Sequence, residues 1–240
     1  MRSPERLAAA LLTAVCLVAA CDRPASETPG ADSAAAPPAD QAVAPSAGSP
    51  AARAPDVFRV RFETSRGSFV VEARRAWSPN GVDRFHQLVS SGFYDNNRFF
   101  RVVPGFIVQF GMHGDPEVNR SWDALTIPDD PVVQQNRRGT VTFAKPDAPN
   151  ARTTHLFINY ADNLSLDAMG FSPIGTVVEG MSVVDNIFPG YEQRPQQPLI
   201  AAEGNEYLQR EFPDLDFIRT ARIVPLATAD STARRDSTRP

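Results

Sequence analysis

The sequence predicts a mainly antiparallel β fold, a barrel, in one domain over residues 56–226. Three observations predict it. Short runs in which apolar and polar residues alternate recur through this stretch. Only two or three segments carry helical spacing, and breaks containing Pro or Gly separate the runs. No internal repeat is visible. About 170 residues in one domain leave room for a substantial core.

The elements follow in order. Phe58, Val60 and Phe62 alternate with Arg59, Arg61 and Glu63, the pattern of a half-buried strand. Thr64-Ser65-Arg66-Gly67 is a turn, and 68–73 alternates again with Phe69 and Val71 inward, which makes a hairpin. Ser78-Pro79 opens a helix: serine suits the cap and proline the first turn. Val82, Phe85, Leu88 and Val89 give it one apolar face, and Gly92 ends it. Beyond the turn at 94–97, strands are expected at 98–103 and 106–110, broken by Pro104-Gly105. Further strands are expected at 140–143, 155–160 and 174–178. A second helix is expected near 181–188, a third at 205–212, and a closing strand at 218–224. The acidic pairs Glu203/Glu206 and Asp214/Asp216 read as solvated faces or caps.

The chain holds 240 residues with a net charge of -4. Its arginines are spread out, with no basic stripe carrying interleaved aromatics, so nucleic acid is not an expected partner. At the start, Arg2 and Arg6 precede an apolar run from Leu7 to Ala20. That run of about 14 residues is short of the ~20 a membrane span needs, and suits a secretory signal peptide over 1–20. It ends Leu17-Val18-Ala19-Ala20-Cys21, similar to a bacterial lipobox, which implies lipidation of Cys21. The other reading is an ordinary signal peptide with Cys21 incidental. Cys16 and Cys21 are the only cysteines, so the folded part has no disulfide, thiolate metal site or cysteine nucleophile. Residues 21–55 are dominated by Ala and Pro and read as a disordered tether; 227–240 reads as a disordered tail. The localisation this implies is the bacterial cell envelope, anchored on the periplasmic side of the inner or outer membrane.

The most informative segment is 99–111, Phe-Phe-Arg-Val-Val-Pro-Gly-Phe-Ile-Val-Gln-Phe-Gly. It sets Arg101 inside an almost unbroken apolar run, and a core rejects an unpaired charge. Arg101 therefore either sits against a buried carboxylate or faces a cleft where a ligand meets it, and the rest of the chain favours the cleft.

That segment resembles the cyclophilin signature Phe-His-Arg-Ile/Val-Ile-x-Gly-Phe-Met-x-Gln-Gly-Gly. Four stretches downstream agree with it in order and spacing: Gly139-Thr140-Val141-Thr142-Phe143-Ala144, Thr153-Thr154-His155-Leu156-Phe157-Ile158, Leu166-Asp167 followed by Gly170-Phe171-Ser172-Pro173-Ile174-Gly175, and Val177-Val178-Glu179-Gly180-Met181 with Val183-Val184. The resemblance covers roughly 57–188. It implies a closed eight-stranded antiparallel barrel capped by two helices, with peptidyl-prolyl cis/trans isomerase activity and no cofactor or metal. Carried over by motif, Arg101 is the catalytic arginine and Gln109 orients it and touches the peptide. Phe106, Ile107, Phe157, Leu166 and Phe171 form the proline pocket and its rim. Ala144 and Lys145 line the groove for preceding residues, and His155 stands where the family has a groove glutamine. Proline-containing polypeptides are the implied clients, met by a monomer.

The chemistry asks for these residue types. The barrier to turning an X–Pro bond, about 18–20 kcal/mol, comes from amide resonance, and no bond need break. The enzyme must grip the ring, hold the chain and favour the twisted amide, whose nitrogen regains a lone pair. A guanidinium beside it donates a hydrogen bond that the planar amide accepts poorly. Three isolated histidines, His86, His113 and His155, have no metal-ligand spacing. Departures from the family pattern are Phe100 for a histidine, Phe110 for a glycine, Phe171 for a pocket histidine and Ser165 where a tryptophan is common. They motivate a second reading, a non-catalytic peptide-binding or scaffold module of the envelope on the same fold.

Overall fold

The structure is a computed structural model and describes residues 52–226. The signal peptide, Cys21, nearly all of the tether and the C-terminal tail lie outside the described residues. The fold's first buried residue is Ala54, whose amide donates to Asp83 at 2.9 Å, two residues ahead of the expected start.

Eight strands form one antiparallel sheet: β1 Val57–Thr64, β2 Gly67–Arg74, β3 Arg101–Val103, β4 Ile107–Phe110, β5 Thr140–Phe143, β6 Leu156–Asn159, β7 Pro173–Glu179 and β8 Ile218–Val224. Their order is β3-β4-β6-β5-β7-β2-β1-β8. The expectation of a closed barrel is corrected. β3 and β8 are edges that do not pair along their length; a lone bridge between Arg98 and Phe217 links the segments leading into them. β3 is three residues long rather than six because Phe99 and Phe100, which precede it, are drawn into two different hydrophobic clusters.

Six helices accompany the sheet among the described residues, where the spacing pointed to three and the resemblance to two capping ones: α1 Pro79–Ser90, α2 Pro116–Asp123, α3 Ser165–Ala168, α4 Met181–Asp185, α5 Gln197–Glu203 and α6 Asn205–Glu211, the first, fourth and last of which were expected. α1 follows its expected apolar face, burying Val82, Phe85, Leu88 and Val89. Its cap is not the expected one. Ser78 makes no capping bond of its own; Asp130, from a distant loop, accepts from the amides of Asn80 and Gly81 and from the Ser78 hydroxyl. A carboxylate neutralises the positive end of a helix better than a hydroxyl does.

The main core joins the sheet to α1 through Phe58, Phe62, Phe69, Phe85, Tyr94 and Phe110. Phe110, in place of a glycine, is a core ring here, 5.7 Å from Phe62 and 5.5 Å from Tyr94. The tight spot is next door. A Cβ on Gly111 would lie 2.5 Å from the Thr154 carbonyl oxygen, and its φ is +106°, so only glycine fits. A second, smaller cluster gathers Phe100, Met112, Ile200, Tyr207, Leu208 and Leu215 beneath α5 and α6. Asp216 also departs from expectation. It is buried, accepting from the Ser65 hydroxyl, Arg66 Nε and the Phe188 amide, and so ties the β1–β2 turn to the chain beyond α4.

Candidate active site

Strand register builds the site. Arg101 on β3 lies opposite Gln109 on β4, and Gln109 lies opposite Phe157 on β6. Arginine, glutamine and aromatic thus stand in a row across three strands. The turn between β3 and β4 carries Phe106; its carbonyl accepts from the Tyr160 amide at 2.8 Å and from Asn163 Nδ2 at 2.9 Å. A groove of about 500 Å³ opens over these strands. That is the size range of ligand sites.

All ten expected site residues of the folded part line this groove. Ile107, Phe157 and Leu166 are buried together as its floor, with Phe106, Ala144 and Phe171 packed against them. Phe171 meets Phe157 edge-on at 5.8 Å. The Lys145 ammonium sits 5.9 Å from the Phe171 ring and 3.7 Å from Asp129. His155 is half-buried and edges the Phe100 ring at 5.9 Å. Phe100 itself faces the second cluster rather than the groove.

Arg101 is half-buried at the groove's edge. Its Nη1 donates to Gln109 Oε1 at 3.2 Å, its Nε donates to Gln193 Oε1 at 3.1 Å, and its guanidinium lies 5.9 Å from the Phe106 ring. Burial pushes its pKa below the usual arginine value, with no carboxylate acting against that shift. Arginine stays charged at neutral pH all the same. Of the two placements open to Arg101 in the sequence, the structure has the cleft.

Several supporting residues were not foreseen. Asn136 is fully buried; its amide nitrogens donate to Asp167 Oδ1, and its Nδ2 also donates to the Phe171 carbonyl at 2.7 Å. It ties down the loop that presents Leu166 and Phe171. Asn163 does the same for Phe106. Neither carries a sequence signal beyond being a polar residue in a loop. Gln193 and Gln197 come from the stretch between the second expected helix and the third, where no helix or strand was expected. Asp123, at the end of α2, also lines the groove. Its helix was legible, since Asp115-Pro116 is a cap followed by a first-turn proline, and Asp115 does accept from the Glu117 amide.

Burial lowers the His155 pKa to about 4, so the ring is neutral at pH 7. In the unfolded chain a histidine titrates near 6.5. The unfolded state therefore binds the extra proton first as pH falls. Stability is full above pH ~6.5 and declines down to about 4, by at most about 3 kcal/mol from this group. His155→Phe is expected to flatten that part of the stability–pH curve, measured as melting temperature between pH 7 and 4. An unchanged slope would show that His155 is solvated.

Among the described residues, no group of three His, Cys, Asp or Glu side chains is placed to hold a metal ion, and no helix is long and apolar enough to cross a membrane.

The family model of cyclophilin type peptidyl-prolyl cis-trans isomerases matches residues 59–202. Peptidyl-prolyl cis-trans isomerase B of Escherichia coli is 33% identical over 144 residues, which span 53% of this chain and 82% of that protein. Peptidyl-prolyl cis-trans isomerase A of Dickeya dadantii is 32% identical over 153 residues, covering 59% of this chain and 80% of the relative. Among solved structures, a cyclophilin type isomerase of Cryptosporidium parvum superimposes with a TM-score of 0.52 at 21% identity, over 71% of this chain and 99% of that one. A second structure of that protein, in the presence of the dipeptide Ala-Pro, gives the same TM-score.

Proposed function

The chain belongs to the cyclophilin family of peptidyl-prolyl cis-trans isomerases, and on that premise we propose that Arg101 carries the catalysis and that the clients are exported proteins. The observation that supports this reading is the guanidinium itself: a cation at the rim of an apolar groove, held by amide oxygens rather than neutralised by a carboxylate. A proline ring fits against Phe157, Ile107 and Leu166, with Phe106 and Phe171 at the rim. The chain before the proline runs past Ala144 and Lys145. As the X–Pro bond twists, conjugation is lost and the nitrogen becomes a hydrogen-bond acceptor. An Arg101 N–H donates to it, and the bond is stronger in the twisted state than in either planar one. Gln109 holds the guanidinium by its Nη1 and reaches the peptide. Exclusion of water by the apolar floor strengthens the interaction. No bond breaks, so no nucleophile is called for. The test is cis/trans exchange in a proline peptide, followed by NMR without a coupled protease, with wild type and Arg101→Ala. Equal rates in the two proteins overturn the assignment of Arg101.

The site of action rests on the leader. Small residues ahead of Cys21 at the end of an apolar run support lipidation there, and the Ala/Pro-rich stretch supports a tether holding a monomeric domain off the membrane. In a bacterial host, the full chain is expected to incorporate labelled fatty acid and to fractionate with membranes, and Cys21→Ala to do neither. A Cys21→Ala protein that stays membrane-bound overturns the anchor.

A further inference from the structure

We propose that Gln193 is a positioning residue for Arg101, and that the segment following Phe188 completes the active site by delivering it. The proposal rests on the reading of Arg101 as the catalytic group. The guanidinium is held at two places from two unrelated parts of the chain. Gln109, across the strand pair, takes Nη1; Gln193, far along the sequence, takes Nε at 3.1 Å. One contact leaves the planar fork free to swing about the bond it touches. Two contacts on different nitrogens fix the plane and leave the remaining N–H groups for the peptide.

Gln193 is exposed, yet its backbone is held firmly. β3 is an edge strand, and the Val102 amide on its free side donates to the Glu192 carbonyl at 2.9 Å. Glu192 has φ +48°, a left-handed conformation that a glutamate adopts only when its surroundings impose it. The surroundings do so. Glu192 N–H donates to the Pro189 carbonyl and Arg194 N–H to that of Tyr191, closing consecutive turns around it. The Tyr191 ring packs edge-on against Phe188 at 5.3 Å and Phe212 at 5.1 Å, and its hydroxyl donates to Asp214 at 2.8 Å. Behind this turn, α5 and α6 seat Ile200, Tyr207 and Leu208 on Phe100, the residue next to Arg101. The aromatic at position 100 thereby has a use: it anchors the element that brings in Gln193. Gln197, at the start of α5, extends the same wall along the groove.

The experiment compares Gln193→Met, close in length but without an acceptor, in the wild-type and Arg101→Lys backgrounds. Because Gln193 is exposed, the melting temperature is expected to stay within a degree or so. In the wild-type background kcat falls about tenfold with KM little changed, as when an outer contact orients a working side chain. In the Arg101→Lys background, where no guanidinium remains to be held, the same substitution changes kcat by less than about twofold. Wild-type kcat in Gln193→Met, alongside a slow Arg101→Ala, overturns this inference and leaves Arg101 in place. An equal fall in both backgrounds also overturns it, since Gln193 would then act on the peptide directly. A fast Arg101→Ala removes the premise itself.

Discussion

Arg101→Ala is expected to lower kcat/KM on a proline peptide by about 10²–10³-fold, the usual loss when one preorganised donor to a developing charge or lone pair is removed. That corresponds to about 2.7–4 kcal/mol of transition-state stabilisation. Two features of the site make the result clean. Arg101 is half-buried at the rim, and its two side-chain partners are neutral glutamine oxygens, one on exposed Gln193 and one on buried Gln109, so truncation strands no charge. The apolar floor of Phe157, Ile107 and Leu166 is untouched, so the proline ring should still bind. Loss should therefore fall on kcat, with peptide affinity within a few-fold of wild type. A planar amide nitrogen is a poor acceptor, and a contact made only in the twisted state contributes nothing to ground-state binding. The measurement is exchange broadening of the cis and trans peptide signals, with peptide affinity taken from the same titration. If affinity falls and exchange in the bound peptide does not, Arg101 grips the chain rather than turning it.

Local pattern carried the sheet well, because its strands are short apolar or alternating runs set off by turns. β5 and β8 fall on their expected residues, and the β1–β2 hairpin differs only at its ends. The groove was legible through motif order: Arg101, Gln109, Phe157, Leu166 and Phe171 stand together as the resemblance implied. What stayed hidden depends on contacts between residues distant in sequence. Phe100 looked like a lost histidine until Tyr207 and Leu208, about a hundred residues on, were seen to cover it. The Asp216 side chain bonds Ser65 and Arg66 some 150 positions back, which no window of alternation or helical spacing can report. α5 is short and rich in Gln and Pro, so it carries little periodic signal, and Gln193 precedes it in a turn defined by its surroundings. Barrel closure failed for a related reason: the closed form was implied by family likeness, and whether the two edge strands meet is a tertiary fact that no local pattern reports.

The opposite kind of variant is Asp130→Ala, expected to lose about 3–5 kcal/mol of stability while its kcat, measured below the melting transition, stays near wild type. Asp130 accepts from the Asn80 and Gly81 amides, from Asn80 Nδ2, from the Ser78 hydroxyl and from Arg152 Nη2 at 2.9 Å. It thus caps α1 and neutralises an arginine that is only 2% exposed. Arg152 reaches Asp129 at 3.6 Å through Nε, too far for a hydrogen bond of normal length, so removing Asp130 strands most of the charge. The melting temperature is expected to drop by roughly 10 °C for a domain of this size. Proton linkage gives the same site a signature. Burial alone would raise the Asp130 pKa, but the Ser78 hydroxyl, the Gly81 amide, Arg152 and the Asn80 amide together hold it below the usual aspartate value. Its contribution is then complete above the unfolded pKa, near 3.9, and is lost as pH falls through the lower folded value. Wild type should show that acid loss and Asp130→Ala should lack it. Adding Arg152→Met to Asp130→Ala should recover a large part of the stability, because a methionine needs no counter-charge where the guanidinium lay. Failure of the second substitution to recover anything would assign the loss to the uncapped helix instead, since the α1 amides remain unsatisfied in both variants.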